Sequence, residues 1–207
     1  MAKYPDVTAG QTEACINRLG GWENFLLFIG GKGKVTFDAV TKTVEKASIY
    51  LRRLFGKKRI TLNATDGTEM LVQAGDIFAW VDPDFNNWKL NVPGKPTVTE
   101  DVSVHEMTKN GTFAEIYDSL GALNGLRLGQ GQIKQFVKRY TSKLHPDGWA
   151  TFFLFTRGDE PVNEDRSNVF VASVYRRDGE LEVHVYGFSD DDVWGAGGRY
   201  RFVAPQR

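Results

Sequence analysis

The stretch VFVASVYRRDGELEVHVYGF, residues 169–188, determines the fold prediction. β-branched and aromatic residues dominate both of its halves, and Asp178-Gly179 between them is a tight-hairpin signal. From Leu181 to Tyr186, apolar residues alternate with Glu, His and Tyr, so the second strand has one apolar face. We therefore expect an antiparallel hairpin that buries one of its faces.

Two further strands and a helix surround this hairpin. Trp149–Thr156 and Tyr200–Val203 are rich in strand-forming residues and complete a four-stranded antiparallel meander. A helix is predicted from about Gly131 to Leu144, and Pro146 prevents its continuation. Its apolar residues recur at spacings of three and four and are Ile133, Phe136, Val137, Tyr140 and Leu144. We expect their stripe to lie on one face of the meander.

A second meander is predicted in the first half of the chain. Its short β-branched segments are Ile60–Asn63, Met70–Gln73, Ile77–Val81 and Trp88–Val92. Apolar periodicity predicts helices over about 9–19, 22–29 and 36–55. Between the two halves, a strand is expected near 98–104, and the capping-box pattern Thr112-Phe-Ala-Glu115 opens a helix that ends at Gly121.

These elements predict an α+β fold with two antiparallel β-meanders, each accompanied by amphipathic helices. Helices and strands are grouped along the chain and do not alternate one for one, which argues against a doubly wound α/β fold. Pro93-Gly-Lys-Pro96 is the candidate boundary between a domain at 1–92 and a domain at 97–207. One continuous domain is the alternative.

Composition excludes several classes of protein. Of 207 residues, 41% are apolar, which is enough for a core, and 26 basic residues balance 26 acidic ones. The single cysteine, Cys15, excludes an internal disulfide framework and is expected to be a small core residue. No apolar run has the length of a membrane span, and the N-terminus lacks the apolar core of a signal peptide. We expect a soluble cytoplasmic protein.

Charge is distributed unevenly along the chain. Residues 1–60 carry a net charge of +6, residues 61–123 carry −7 and residues 124–207 carry +1. Two stretches are locally basic, one near 51–59 and one, without any acidic residue, over 119–146. The predicted anion-binding residues in these stretches are Arg52, Arg53, Lys57, Lys58, Arg59, Arg127, Lys134, Lys138, Arg139 and Lys143.

These cations have two interpretations. They could contact phosphates, because Lys and Arg release condensed counterions from nucleic acid. They could instead form solvated faces or pair with the acidic middle third of the same chain. The function predicted from them is a non-catalytic binding protein whose partner is nucleic acid or an acidic protein surface. The alternatives are an assembly subunit that forms a homo-oligomer through complementary acidic and basic segments, and a small hydrolase or transferase without a recognisable motif.

Motifs for chemistry are weak. His184 shares a strand face with Glu182, and a pocket gathering both with an acid from 190–192 would indicate catalysis, but residues two apart on a strand share a face regardless of function. Asp82-Pro-Asp-Phe-Asn86 begins like a calcium loop and then lacks its glycine and its glutamate. Gly30-Gly-Lys-Gly-Lys34 lacks phosphate-loop spacing. The sequence thus predicts no catalytic residue, no metal site and no cofactor.

Three stretches carry a resemblance. QTEACINRLGGWENF (residues 11–25), DGWATFFLF (147–155) and RYRFVAPQ (199–206) resemble a set of uncharacterised proteins encoded by small-genome bacteria of uncultured lineages. The resemblance implies a bacterial cytoplasmic setting. It implies no activity, cofactor or site residue.

Overall fold

The computed structural model of the chain describes residue 26 and residues 50–56, 59–146 and 148–206. The chain divides into two compact units, Met1–Glu45 and Lys46–Arg207, and every element below belongs to the second. The helix predicted over 9–19 lies outside the described residues, as do Cys15, Lys57 and Lys58, and of the helix predicted over 22–29 only residue 26 is described, where it is helical.

The second unit is built on one mixed β-sheet. Its strands are β1 (Leu51–Arg53), β2 (Ile60–Leu62), β3 (Trp80–Val81), β4 (Glu100–Met107), β5 (Thr151–Thr156), β6 (Val169–Arg177), β7 (Glu180–Gly187) and β8 (Arg201–Pro205). They lie in the order β1-β4-β8-β5-β6-β7-β3, and β2 pairs with the other end of β4, so β1 and β2 form one interrupted edge strand. The pairs β5·β8 and β3·β7 are parallel and the others are antiparallel.

Local sequence explains the elements that formed as predicted. The hairpin at Asp178-Gly179 is confirmed: the two residues have φ values of 52° and 87°, the left-handed pair that a two-residue turn requires. The capping box is confirmed too, since the Glu115 amide donates to Thr112 Oγ1 (3.3 Å) and the Thr112 amide donates to Glu115 Oε2 (3.0 Å). It opens a helix that ends at Asp118, three residues before the predicted end.

Three α-helices lie in the described part of the chain: α1 (Asp84–Asn87), α2 (Phe113–Asp118) and α3 (Gln130–Arg139). α3 is shorter than the predicted helix because Tyr140 leaves the helical region and a 3-10 turn, Thr141–Lys143, follows. Two arginine side chains of the sheet stabilise that turn by hydrogen bonds to its carbonyls. Arg176 donates to the Thr141 carbonyl at 3.1 Å, and Arg201 donates to the carbonyls of Lys143 and Leu144.

The sheet is covered on both faces. On the first face, α3 buries Ile133, Phe136 and Val137, and the Phe136 ring lies edge-on to Phe153 with centroids 5.3 Å apart. The expected contact between this helix and the sheet is therefore confirmed. On the second face, α2 brings Phe113 edge-on to the ring of Phe152, at 5.1 Å.

The predicted fold class is wrong. The described residues are predominantly β and form a single mixed sheet, where two antiparallel meanders with balanced helices were expected. In the second half, β5, β6 and β7 form a meander, but β8 inserts between β4 and β5 and runs parallel to β5. β8 is buried on both sides, with Val203 in the core of the first face and Phe202 and Ala204 in that of the second, so a place between β4 and β5 buries more of it than a place at the edge of the sheet.

The first meander does not exist. Leu71–Gln73 is a 3-10 helix, because the buried Gln130 side chain accepts from the Leu71 amide (2.9 Å) and replaces a strand neighbour. Within the predicted strand 77–81 only Trp80–Val81 pairs, and Trp88–Val92 contains no strand. The predicted helix 36–55 is wrong in its described end, since Leu51–Arg53 pairs with β4. In this segment the hydrogen bonds to β4 favour a strand even though the apolar residues have helical spacing.

The sheet joins strands from both sides of Pro93–Pro96. β1, β2 and β3 precede this segment and pair with β4 and β7, which follow it. Pro93–Pro96 thus lies inside one compact unit, Lys46–Arg207.

Candidate functional site

The predicted cations at the β1/β2 edge face carboxylates of the acidic middle third. Arg52 forms an ion pair with Glu106 at 2.6 Å, and Arg59 lies 3.6 Å from Asp101. Arg53 stands opposite His105 in the β1–β4 register. The edge of the sheet therefore brings the two oppositely charged segments of the sequence together.

The cations of α3 line a cleft of about 450 Å³ between this helix and residues 64–77. Lys134 pairs with Glu69 at 3.1 Å, and Lys138 pairs with Asp76 at 3.3 Å. Arg139 donates to Gln135 Oε1 within the helix at 3.2 Å. The cleft walls hold three cations and three carboxylates, so its formal charge is balanced.

Arg127 is placed apart from the other predicted residues. Its guanidinium donates to Thr156 Oγ1 (2.9 Å) and to the carbonyls of Asp159 and Glu160, and burial lowers its pKa. It lines a second cleft of about 310 Å³ with Asp159. Burial raises the pKa of the Asp159 carboxyl, although the Lys95 amide and the Arg127 charge oppose that shift. Arg127 thus holds the loop 156–160 in place.

Lys143 belongs to a different arrangement, which we call the basic corner: Arg52, Phe55, Glu106, Lys143 and Arg201. Lys143 Nζ lies 3.9 Å from the centre of the Phe55 ring, and the Arg201 guanidinium lies 5.5 Å from the same centre. Glu106 stands between Arg52 and Arg201 in the strand register. Among the described residues, the basic corner therefore places Lys143 and Arg201 over one aromatic ring, and Arg201 also neighbours the Arg52–Glu106 ion pair.

The histidine that the sequence singled out lies between two carboxylates. His184 Nε2 is 3.4 Å from Glu182 Oε2, and His184 Nδ1 is 3.9 Å from Asp82 Oδ2. The second acid is Asp82 and not a residue of 190–192; Asp190 instead accepts from the Gly187 amide at 3.0 Å. Asp82 reaches this position because β3 runs beside β7.

A row of aromatic side chains, which the sequence did not indicate as a unit, continues from His184 across the second face. The row is formed by Trp80, His184, Tyr175, Tyr186, Trp194, Tyr200 and Trp149. Alternation along β6 and β7 already places Tyr175, His184 and Tyr186 on one face. The other members come from distant segments, so only the tertiary structure reveals the row.

A second histidine forms a Ser–His pair. His105 Nε2 lies 2.8 Å from Ser103 Oγ, which also lies 3.3 Å from the Ala204 carbonyl. Burial, followed by the charge of Arg53, lowers the pKa of His105 to about 4, so the imidazole is neutral at pH 7. A hydrolytic Ser–His pair is oriented by a carboxylate. Here the charged group beside His105 is Arg53, which favours a structural pair.

Two kinds of functional feature are absent from the described residues. No cluster of three or more His, Cys, Asp or Glu side chains that could hold a metal ion occurs in the described ranges. Within the same ranges, no helix combines the length and the hydropathy needed to cross a membrane. Comparisons with protein-family models, with curated proteins and with solved structures find no match. The resemblance of the three sequence stretches therefore stays a prediction.

Proposed function

We propose that this chain is a non-catalytic binding protein that contacts an anionic partner, in the first place single-stranded nucleic acid, through the basic corner. The observation that supports this is that Lys143 and Arg201 both lie over the Phe55 ring, while Arg52 and Arg201 flank Glu106 in the strand register. A cytoplasmic location, where nucleic acid is accessible, belongs to the same proposal.

The basic corner differs from the rest of the predicted basic surface in its charge balance. Lys134 and Lys138 each face a carboxylate of their own, whereas in the described residues no carboxylate lies within ion-pair distance of Lys143. Binding of a phosphate to Lys143 therefore does not require an existing ion pair to break. An aromatic ring between cations also suits single strands, because bases stack on aromatic side chains while Lys and Arg contact the backbone.

Fluorescence anisotropy with a labelled single-stranded oligonucleotide tests the proposal. We expect wild-type protein to bind at about 50 mM salt, and Lys143→Gln to flatten the slope of log affinity against log salt by about one unit. Lys138→Gln is the matched control, because it removes a lysine that already faces Asp76, and its slope should stay near the wild-type value.

Two results would overturn the proposal. One is the absence of oligonucleotide binding by the wild-type protein at low salt, and the other is an equal effect of the two lysine variants. Binding of an acidic polypeptide such as polyglutamate, with the same dependence on Lys143 and none for the oligonucleotide, would assign the basic corner to an acidic protein partner.

The assembly alternative receives less support. Ion pairs such as Arg52–Glu106, Lys134–Glu69 and Lys138–Asp76 join the acidic and basic segments within one chain. These charges are therefore already matched before two copies meet. Light scattering at low and high salt distinguishes the two functions, because only the assembly subunit should change its mass with salt.

A further inference from the structure

The aromatic row on the second face has the composition of a ligand site. Its contacts are continuous: ring centroids lie 4.5 Å apart for Trp80 and His184, and 5.0 Å apart for His184 and Tyr175. Beyond the paired hydroxyls of Tyr175 and Tyr186, the row continues through Trp194 to Tyr200 with centroid distances of 5.3 and 5.2 Å. Trp80, at one end, is 40% exposed.

Polar groups of both kinds accompany the rings. Asp82 and Glu182 present carboxylate oxygens beside His184. Ser173 Oγ and Trp194 Nε1 are buried and have no hydrogen-bond partner among the described residues. Ser173 is fully buried, stands opposite His184 in the β6–β7 register, and therefore points to the same face of the sheet. Unpaired buried donors are costly, so each such group calls for an explanation.

The chemistry of these groups selects the ligand. An anion would face Asp82 and Glu182, and an ammonium group would face the exposed Arg177 guanidinium, which lies 3.4 Å from Glu182 Oε2. A hydroxyl group both donates and accepts, so hydroxyls on one ligand can donate to these carboxylates and accept from Arg177. The C–H faces of a pyranose ring, in turn, pack against the faces of Trp and Tyr.

We propose that the aromatic row binds a neutral saccharide built of pyranose rings, with Trp80 and Tyr175 as stacking platforms and Glu182 as a hydroxyl acceptor. This site lies on the face of the sheet opposite α3. It does not depend on the proposed binding of an anionic partner at the basic corner.

Tryptophan fluorescence and titration calorimetry with three probes, cellohexaose, maltohexaose and chitohexaose, test the proposal. We expect at least one hexasaccharide to bind with a Kd of about 1 mM or tighter. Trp80→Ala should weaken this binding at least about tenfold, the size of effect expected for loss of one stacked ring. Because Trp80 is exposed at a two-residue edge strand, its removal should leave the fold intact.

Two further variants separate the roles. Tyr175→Phe keeps the ring and removes the hydroxyl, so binding should weaken only a few-fold, about the effect of one hydrogen bond. Lys143→Gln should leave saccharide binding unchanged, and Trp80→Ala should leave oligonucleotide binding unchanged. The two proposals can therefore fail separately.

The proposal is overturned if none of the three hexasaccharides binds at about 10 mM, or if Trp80→Ala binds as tightly as the wild type. Binding of tetramethylammonium that depends on Trp80 and occurs without saccharide binding would overturn it too, since the row would then be a cation site.

Discussion

The two faces of the sheet differ in what they bury. Under α3, one buried strand residue of the first face is polar, Thr151, whose hydroxyl accepts from the His145 amide, and the others are apolar: Val102, Val104, Phe153, Phe155, Ala172, Val174, Val183, Val185 and Val203. On the second face, Ser103, His105 and Ser173 lie among the apolar residues. A buried polar group costs stability unless it is paired. We infer that the first face supplies more packing free energy than the second, where Ser173 has no hydrogen-bond partner among the described residues.

Removing a buried aromatic side chain from the first face should produce the largest loss of stability. Phe136 is fully buried between α3 and Phe153. Phe136→Ala should lower the free energy of unfolding by about 3–5 kcal/mol, the usual range for a packed aromatic site, as measured by urea denaturation. Phe136→Leu, which retains most of the volume, should cost clearly less. An unfolding midpoint of Phe136→Ala equal to that of the wild type would contradict the inferred role of this face.

Low pH should lower the free energy of unfolding through His105 on the second face. The folded state holds the pKa of His105 near 4, below its ordinary value of 6.5, so the unfolded chain binds more protons between these values. The stability linked to the neutral His105 imidazole is fully present above about pH 6.5 and is lost as the pH falls towards 4. It amounts to about 2 kcal/mol between about pH 7 and pH 5, by proton linkage.

Urea denaturation near pH 7 and near pH 5 measures this difference. His105→Gln keeps a hydrogen-bonding side chain beside Ser103 on the same strand and removes the titrating group. We expect its free energy of unfolding to change by about 2 kcal/mol less between the two pH values than that of the wild type. If His105→Gln loses as much stability at pH 5 as the wild type does, His105 is not the group whose protonation destabilises the fold.

The smallest effect should come from the outer surface of α3, away from both faces. The Lys138–Asp76 pair is largely exposed, with 68% and 59% of the two side chains accessible. Lys138→Ala should therefore change the free energy of unfolding by about 0.5 kcal/mol or less. Lys134→Ala removes a side chain of which only 14% is accessible and should cost more. Equal costs would show that burial does not govern these pairs.

Local signals in the sequence predicted local structure well. The capping box at Thr112, the turn at Asp178-Gly179 and the buried stripe of Ile133, Phe136 and Val137 all depend on neighbours within a few residues. Pairing between distant strands left no such signal. The strand-forming residues of 200–203 predict a strand, but nothing in them specifies β4 and β5 as its neighbours.

The candidate sites follow the same rule. Charge counting identified the basic segments, but their partners Glu69, Asp76 and Glu106 lie 54 or more positions away in the sequence. The aromatic row could not be predicted from the sequence either. Trp80 joins it through the parallel pairing of β3 with β7, and Trp194 joins it through the loop before β8.

The central position of β8 has a consequence for the folding of the chain during synthesis. β8 is the last of the eight strands in chain order, yet it joins β4 to β5, and its pairing brings Ser103 opposite Ala204. Until residues 201–205 leave the ribosome, β4 and β5 present unpaired edges that can add foreign strands. Closing so long a loop is slow. The nascent chain should therefore be prone to pair these two edges with foreign strands until residues 201–205 emerge.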